Sequence, residues 1–228
     1  MKETRVEFEP EIAAAAPALQ VVRIAAEVVN GPTDPELRRS LEELAARVAA
    51  SYGLPDINHR PGIAATRAAY KALGKEPNRY RPAQEQLMRR IVNGKGLYFI
   101  DNLVDVCNYV SIASGYAVGA FDSEKIDGDV LRLGVGRAGE PYEGIGRGPI
   151  NIEGMPVYRD ATGGVGTPTS DNERTKITSA TRQLTVCVNI YGEEMPPSVV
   201  GELYAALLRR FCSASEIAID IFRPVRPV

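Results

Sequence analysis

The sequence predicts an α+β, or mixed α/β, fold with helices mainly in its first half and short strands in its second. Before residue 115, several segments repeat apolar residues every three or four positions, as amphipathic helices do. After residue 116, short apolar or alternating runs are separated by turn residues, and 10 of the 21 glycines fall between residues 134 and 166. The chain has 228 residues, 44% of them hydrophobic, with no internal repeat or long linker. We therefore expect a single domain over residues 1–228.

The first 54 residues form a predicted strand and helix extension. Residues 5–8 and 20–29 have the composition of strands. Thr33 or Asp34, followed by Pro35, then predicts the start of a helix, because a side-chain cap and a first-turn proline both favour helix initiation. This helix is expected to end near residues 51–53. Its apolar stripe consists of Leu37, Leu41, Leu44 and Val48.

The remaining elements follow from periodicity and turn residues. Gly74 is expected to close a helix over residues 63–73, and Asn93 and Gly94 a helix over residues 82–92. Further helices are predicted over residues 102–113 and 197–211. Strands are predicted over residues 117–121, 130–135, 149–152, 155–158, 183–190 and 216–222.

The distribution of charge matters more than its total. A net charge of −2 gives no overall attraction for nucleic acid or an anionic membrane. Residues 59–95, however, contain nine basic and two acidic side chains. Such a segment either holds phosphates, if its cations share one face, or is a solvated surface beside acidic neighbours. Arg81 and Glu85 are also spaced to pair with each other. The candidate RNA contacts are Arg81, Arg89, Arg90, Lys95 and, further along the chain, Lys176.

Several common sites are disfavoured. Three cysteines and one histidine, His59, show no metal-ligand spacing and predict neither a disulfide framework nor a metal site. Gly134, Gly136 and Gly139 have the GxGxxG spacing, but the prolines and glycines that follow forbid the required helix. The glycine-rich run 163–170 lacks the P-loop lysine and is expected to be a turn or mobile loop. No cofactor is predicted. With no signal peptide and no membrane-length apolar run, we expect a soluble cytoplasmic protein.

Residues 101–122 read DNLVDVCNYVSIASGYAVGAFD. This stretch resembles the B3/B4 domain of the phenylalanyl-tRNA synthetase beta subunit, whose corresponding run is close to RNxVDVTNYVMxExGQPxHAFD. The resemblance extends over about residues 55–225, and residues 60–91 are most similar to stand-alone B3/B4 proteins. It implies a layered B3/B4-type domain with N-terminal helices and a mixed sheet. The identities in the ungapped block are Asn102, Val104, Asp105, Val106, Asn108, Tyr109, Val110, Gly115, Ala120, Phe121 and Asp122.

In the synthetases this domain hydrolyses tRNA wrongly charged with tyrosine, so the resemblance implies a cleft for an aminoacylated 3′ end. Here the family's pocket threonine falls on Cys107 and its pocket histidine on Gly119. The family's tyrosine-recognising glutamate has no counterpart, since Pro156 or a neighbour occupies its place. Gly119 cannot accept a proton through a side chain, so the family's chemistry cannot run through that position.

The candidate substrate pocket consists of Cys107, Asn108, Gly119, Asp122 and Arg174. No catalytic residue is assigned. Cys107 is either a nucleophile or, as its apolar helical neighbours favour, a small buried residue. Asn102, Asp105 and Asn108 share a helical face that either binds a ligand or caps the helix. Arg174 and Lys176 either bind phosphate or form a solvated hairpin edge.

Two functional hypotheses remain open. The first is a protein that binds tRNA or aminoacyl-tRNA, with a further version in which it is a deacylase acting on mischarged tRNA. The second is a small-molecule or amino-acid binder on the same fold, without nucleic acid. A scaffold has no positive support in the sequence, and the oligomeric state, the acyl group and the tRNA identity are not predicted.

Overall fold

The structure, a computed structural model, describes residue 2 and residues 4–225. Its helices are α1 (Pro10–Ala15), α2 (Pro35–Ser51), α3 (Pro61–Ala72), α4 (Ala83–Val92), α5 (Asn102–Ser114) and α6 (Pro197–Phe211). Its strands are β1 (Arg5–Phe8), β2 (Gln20–Glu27), β3 (Ala117–Asp122), β4 (Val130–Val135), β5 (Glu143–Gly144), β6 (Gly148–Pro149), β7 (Pro156–Arg159), β8 (Gly164–Gly166), β9 (Gln183–Ile190) and β10 (Ser215–Phe222). The predicted α+β class is confirmed.

The strands form two four-stranded sheets and one small hairpin. The first sheet has the order β10-β2-β9-β3 and is antiparallel throughout. The second has the order β1-β4-β7-β8 and is mixed, because β1 runs parallel to β4. Strands β5 and β6 pair with each other. β3 is therefore an edge strand of the first sheet.

The antiparallel sheet is the middle of three layers. One face, with Val22, Ile24 and Val186, packs against apolar side chains of α2, α4, α5 and α6. The other face, with Val21 and Cys187, packs against the second sheet. Because β2 and β9 are covered on both faces, they are buried over almost their whole length, as their long apolar runs require.

Differences from the expected elements lie mainly at boundaries. Helix α3 begins two residues early, at Pro61. The strand expected over residues 149–152 is reduced to the pair Gly148–Pro149, because this segment turns back onto β5. Helix α1 and strand β8 were not predicted: α1 has only six residues, and β8 lies in the run expected to be a loop. In the part of the chain that the structure describes, no helix begins directly after the GxGxxG spacing.

Among the described residues, no helix is both long and apolar enough to cross a membrane. Within the same part of the chain, no group of three or more His, Cys, Asp and Glu side chains is arranged to hold a metal ion.

Candidate functional site

A cleft of about 280 Å³ opens beside the edge strand β3. Its walls come from the first half of α5, the start of α4, β3, Ile145 and the segment 167–177. The lining is mostly apolar, with a few polar side chains among it. The lining residues are Ala83, Ile100, Asp101, Val104, Cys107, Asn108, Val118, Ala120, Ile145, Thr167, Ser170, Asp171, Lys176 and Ile177.

Helix α5 is fixed at both ends, so its first turns are a rigid wall. Asp101 caps it, with the Val104 amide donating to Asp101 Oδ1 at 2.9 Å. Gly115 ends it with φ of +75°, a conformation that glycine adopts without strain. Of the predicted polar face, only Asn108 lines the cleft. Asn102 and Asp105 hold the start of α2 instead, through the Asp34 amide and the Thr33 hydroxyl respectively.

Asp171 is the carboxylate that lies against the free edge of β3. The Ala120 amide donates to Asp171 Oδ2 at 3.1 Å. Apart from this bond, the carboxylate has no hydrogen bond to any residue that the structure describes. Burial raises the pKa of the Asp171 carboxyl to about 7, because the charged form loses hydration. A group with this pKa exchanges a proton readily near neutral pH.

The loop that carries Asp171 is ordered by its own hydroxyl groups. Thr167 Oγ1 accepts from the amides of Thr169 at 3.2 Å and Ser170 at 3.1 Å. The Tyr142 hydroxyl donates to the Ser170 carbonyl at 2.7 Å. Sequence reasoning missed Asp171 because a lone aspartate after a threonine and serine run carries no motif. Its position follows only from the long-range contact with β3.

Cys107 lines the cleft, in contact with the carbonyl of Val118 at 3.9 Å. Burial, with Asp171 close by, raises the pKa of the Cys107 thiol well above its usual range. A thiol of this kind is protonated at neutral pH and is a poor nucleophile. The geometry therefore favours the packing role over the nucleophile role.

Gly119 lies on the face of β3 that is turned away from α5. A Cβ atom at Gly119 would lie 2.8 Å from Phe121 Cζ and 3.3 Å from Asp171 Oδ1. The Phe121 ring and the Asp171 carboxylate thus fill the space that a side chain at this position would enter. A side chain at this position would therefore require Phe121 to move.

Asp122 and Arg174 do not line the cleft. Asp122 is buried, where it accepts from the Thr181 hydroxyl at 2.9 Å and contacts Lys125 Nζ at 3.1 Å. Arg174 donates to Asp160 Oδ1 at 2.8 Å and to the Lys125 carbonyl at 3.1 Å. The structure therefore brings together Cys107, Asn108 and Lys176 from the expected sites.

Much of the basic segment is neutralised inside the fold. The fully buried Glu85 contacts Arg67 at 2.9 Å, Arg89 at 2.8 Å and Arg81 at 3.7 Å. Arg60 is buried against Glu194 at 2.6 Å and donates to two carbonyls at the end of α5. For these cations the contacts favour the second interpretation of the segment, in which its positive charge lies beside acidic neighbours of the same fold.

The other candidate RNA contacts are dispersed. The Arg90 guanidinium lies 3.7 Å from the centroid of the Tyr98 ring and donates to the Lys95 carbonyl. Lys95 is exposed after the end of α4, whereas Lys176 lies at the cleft and pairs with Glu173. Arg89 and Arg90 lie in the last turn of α4, whereas Ala83, the first residue of that helix, lines the cleft. The two arginines are therefore at the opposite end of α4 from the cleft.

Comparison with known proteins agrees with this architecture. The chain matches the family described as B3/4 domain over residues 65–195. It is 37% identical over 70 residues to the phenylalanine–tRNA ligase beta subunit of Bartonella henselae, a match that covers 31% of this chain and 9% of that protein.

A solved structure is similar over the whole chain. An N-terminal fragment of the phenylalanyl-tRNA synthetase beta subunit from Pyrococcus horikoshii aligns with 100% of this chain at a TM-score of 0.50 and 12% identity. This chain spans 57% of that fragment, and at such identity the likeness concerns the fold alone. Because the family match covers more than half of its residues, the chain belongs to the B3/4 domain family.

Proposed function

We propose that this protein binds the aminoacylated 3′ end of a tRNA, with the amino acid in the cleft beside β3. The observation that carries the proposal is the Asp171 carboxylate in a largely apolar cleft. An amino acid attached through its carboxyl group presents one ammonium group and one side chain. The carboxylate complements the ammonium, and the apolar walls formed by Ile100, Val104 and Val118 complement a side chain.

The relatives support an esterified rather than a free amino acid. The two similar proteins are a subunit of a phenylalanine–tRNA ligase and a fragment of a phenylalanyl-tRNA synthetase subunit. The cleft volume of about 280 Å³ lies just below the range usual for small-molecule sites and suits one amino acid better than a larger ligand.

For hydrolysis of the ester we assign Asp171 as the base, since Asp101, the other carboxylate of the lining, caps α5. Asp171 lies next to Gly119, the position at which the synthetases carry histidine. As a carboxylate it would accept a proton from water while the water oxygen attacks the ester carbonyl, and the tRNA hydroxyl would leave with a proton. The pKa of about 7 belongs to the free protein, and a bound ammonium would lower it, because an opposite charge favours the carboxylate.

The test is deacylation of correctly charged and mischarged tRNAs by wild type, Asp171→Asn and Asp129→Asn. Asp129 is exposed and lies away from the cleft, so its variant controls for loss of one carboxylate. We expect acceleration by wild type and by the control, with a loss of about 100-fold or more in Asp171→Asn, as for removal of a general base. Equal rates with Asp171→Asn and wild type would refute the role of Asp171. No acceleration for any charged tRNA would refute hydrolysis.

Binding is tested separately by thermal unfolding in the presence of amino acids and of their methyl esters. Ligands that bind the folded state raise its stability in proportion to the logarithm of their concentration. The proposal is supported if the methyl esters raise the stability of wild type more than the free amino acids do, and if they do not raise that of Asp171→Asn. Free amino acids that stabilise it equally well would favour the second candidate, an amino-acid binder, since the ammonium site serves both ligands.

A further inference from the structure

A second concavity lies beside the cleft, and arginine dominates it. Its volume is about 260 Å³. Its polar lining comes from three arginines, one amide and two hydroxyls, without any acidic side chain. The lining residues are Arg79, Tyr80, Arg81, Gln86, Arg147, Ile150 and Thr169.

The positive charge in this concavity is not balanced by the fold. Among the described residues, Arg79 and Arg147 have no carboxylate within 4.0 Å. Arg147 donates to Gln86 Oε1 at 2.7 Å, and the Arg79 guanidinium lies 5.5 Å from the Tyr80 ring centroid. Arg81 reaches Glu85 at 3.7 Å, but that carboxylate already contacts Arg67 and Arg89. Three guanidiniums therefore share at most a fraction of one negative charge.

The arginine concavity and the cleft share a wall. Three chain segments each contribute one residue to the arginine concavity and one to the cleft. The arginine concavity takes Arg81, Arg147 and Thr169, and the cleft takes their near neighbours Ala83, Ile145 and Ser170. Members of each pair are one or two positions apart, so their Cα atoms are at most about 7 Å from each other. The Ala83 amide also donates to the Pro168 carbonyl at 2.7 Å, which fixes the start of α4 against this wall. The two concavities are therefore neighbours, separated by this wall.

We propose that Arg79, Arg81 and Arg147 bind a phosphate group of the ligand whose other end lies in the cleft. Guanidinium groups donate two parallel hydrogen bonds to phosphate oxygens, whereas the buried Thr169 hydroxyl is already bonded to the Tyr70 hydroxyl at 2.9 Å. Assignment of this group to the terminal nucleotide of a tRNA rests on the proposed function. The anion site itself rests on the arginines alone, and a phosphate bound there would hold the nucleotide beside the acyl cleft.

The experiment measures the affinities of adenosine, adenosine 5′-monophosphate and inorganic phosphate by calorimetry, at fixed low salt. The test variant is Arg79→Gln with Arg147→Gln. The control is Arg5→Gln with Arg132→Gln, which removes two exposed arginines from the second sheet. Each lost contact between a guanidinium and the phosphate is expected to weaken binding of the monophosphate by at least about tenfold, which corresponds to about 1.4 kcal/mol. Adenosine affinity should not change.

The outcomes separate the anion site from the function. Adenosine binding as tightly as its monophosphate, or equal losses in the control and the test variant, would overturn the phosphate site. Inorganic phosphate binding as tightly as the monophosphate would overturn the nucleotide assignment. Monophosphate binding that depends on Arg79 and Arg147, together with a failure to bind aminoacyl esters, would support the anion site and overturn the proposed acyl function.

Discussion

Replacing Glu85 by glutamine should destabilise the fold far more than the loss of an ordinary surface ion pair. Glu85 is fully buried, and its two oxygens contact Arg67 at 2.9 Å and Arg89 at 2.8 Å. The Arg67 side chain is only 11% exposed, so it cannot be rehydrated once the negative charge is gone. Arg81 is 45% exposed and adds little. Removing one member of a buried ion cluster costs about 3–5 kcal/mol, and we take the lower end, about 3 kcal/mol, because the amide still accepts hydrogen bonds.

The assay is thermal and urea unfolding of Glu85→Gln beside the control Glu42→Gln. In a protein of this size, about 3 kcal/mol corresponds to a decrease in Tm of roughly 6–12 °C. Glu42 forms an exposed pair with Arg38 at 2.9 Å, both side chains being more than half exposed. Its loss should cost less than about 0.5 kcal/mol. A Glu85→Gln variant within about 1 kcal/mol of the control would refute the internal neutralisation of the basic segment.

The remaining predictions concern the cleft. The pKa of Asp171 is about 7 in the folded protein and near 4 in the unfolded chain, so folding favours the protonated carboxyl. Wild type should therefore lose stability relative to Asp171→Asn as the pH rises from about 4 to about 7. Parallel stability curves from pH 4 to 8 would contradict this. Gly119→His should lower the free energy of unfolding by about 1–3 kcal/mol rather than restore a family-like pocket, because the new Cβ lies 2.8 Å from the buried Phe121 ring. A variant that unfolds in urea with wild-type stability would contradict this prediction. Cys107 should react with iodoacetamide much more slowly in the native protein than in the unfolded chain, since burial raises the pKa of the thiol. Mass spectrometry follows the reaction, and a fast reaction of the native protein would restore the nucleophile hypothesis.

Elements with a strong local signal could be predicted from the sequence. The apolar stripe and the Asp34 cap of α2 reappear in the structure, with Leu37, Leu41, Leu44 and Val48 all buried and the Glu36 amide donating to Asp34. Helix α1 and strand β8 could not be predicted, because six and three residues are too few for a period to show. Strand β8 forms a short hairpin with β7, in which the paired residues are only five and eight positions apart.

The cleft was only partly predictable, because a contact between distant parts of the chain brings Asp171 to it. Cys107 and Asn108 come from the ungapped block that resembles the synthetases, and both line the cleft. Gly119 comes from the same block, but strand alternation directs it to the opposite face of β3 from Val118 and Ala120. Asp171 lies 51 positions after Ala120, whose amide donates to it, and no local pattern marks such a distant contact.

The basic segment shows why the charge of a segment differs from the charge of a surface. Arg60 finds its partner Glu194 at a separation of 134 positions, which no local spacing reveals. Conversely, Arg147 belongs to the glycine-rich hairpin region, outside the basic segment, yet it completes the concavity that Arg79 and Arg81 begin. The unbalanced positive charge is therefore created by tertiary structure, at the rim of the cleft rather than along α4. Charge reversal at Arg89 would break the buried ion cluster around Glu85. Weaker tRNA binding by that variant would therefore reflect loss of the fold rather than loss of a tRNA contact. Substitution of Arg79 and Arg147 removes only exposed charge, so a loss of affinity there reports recognition.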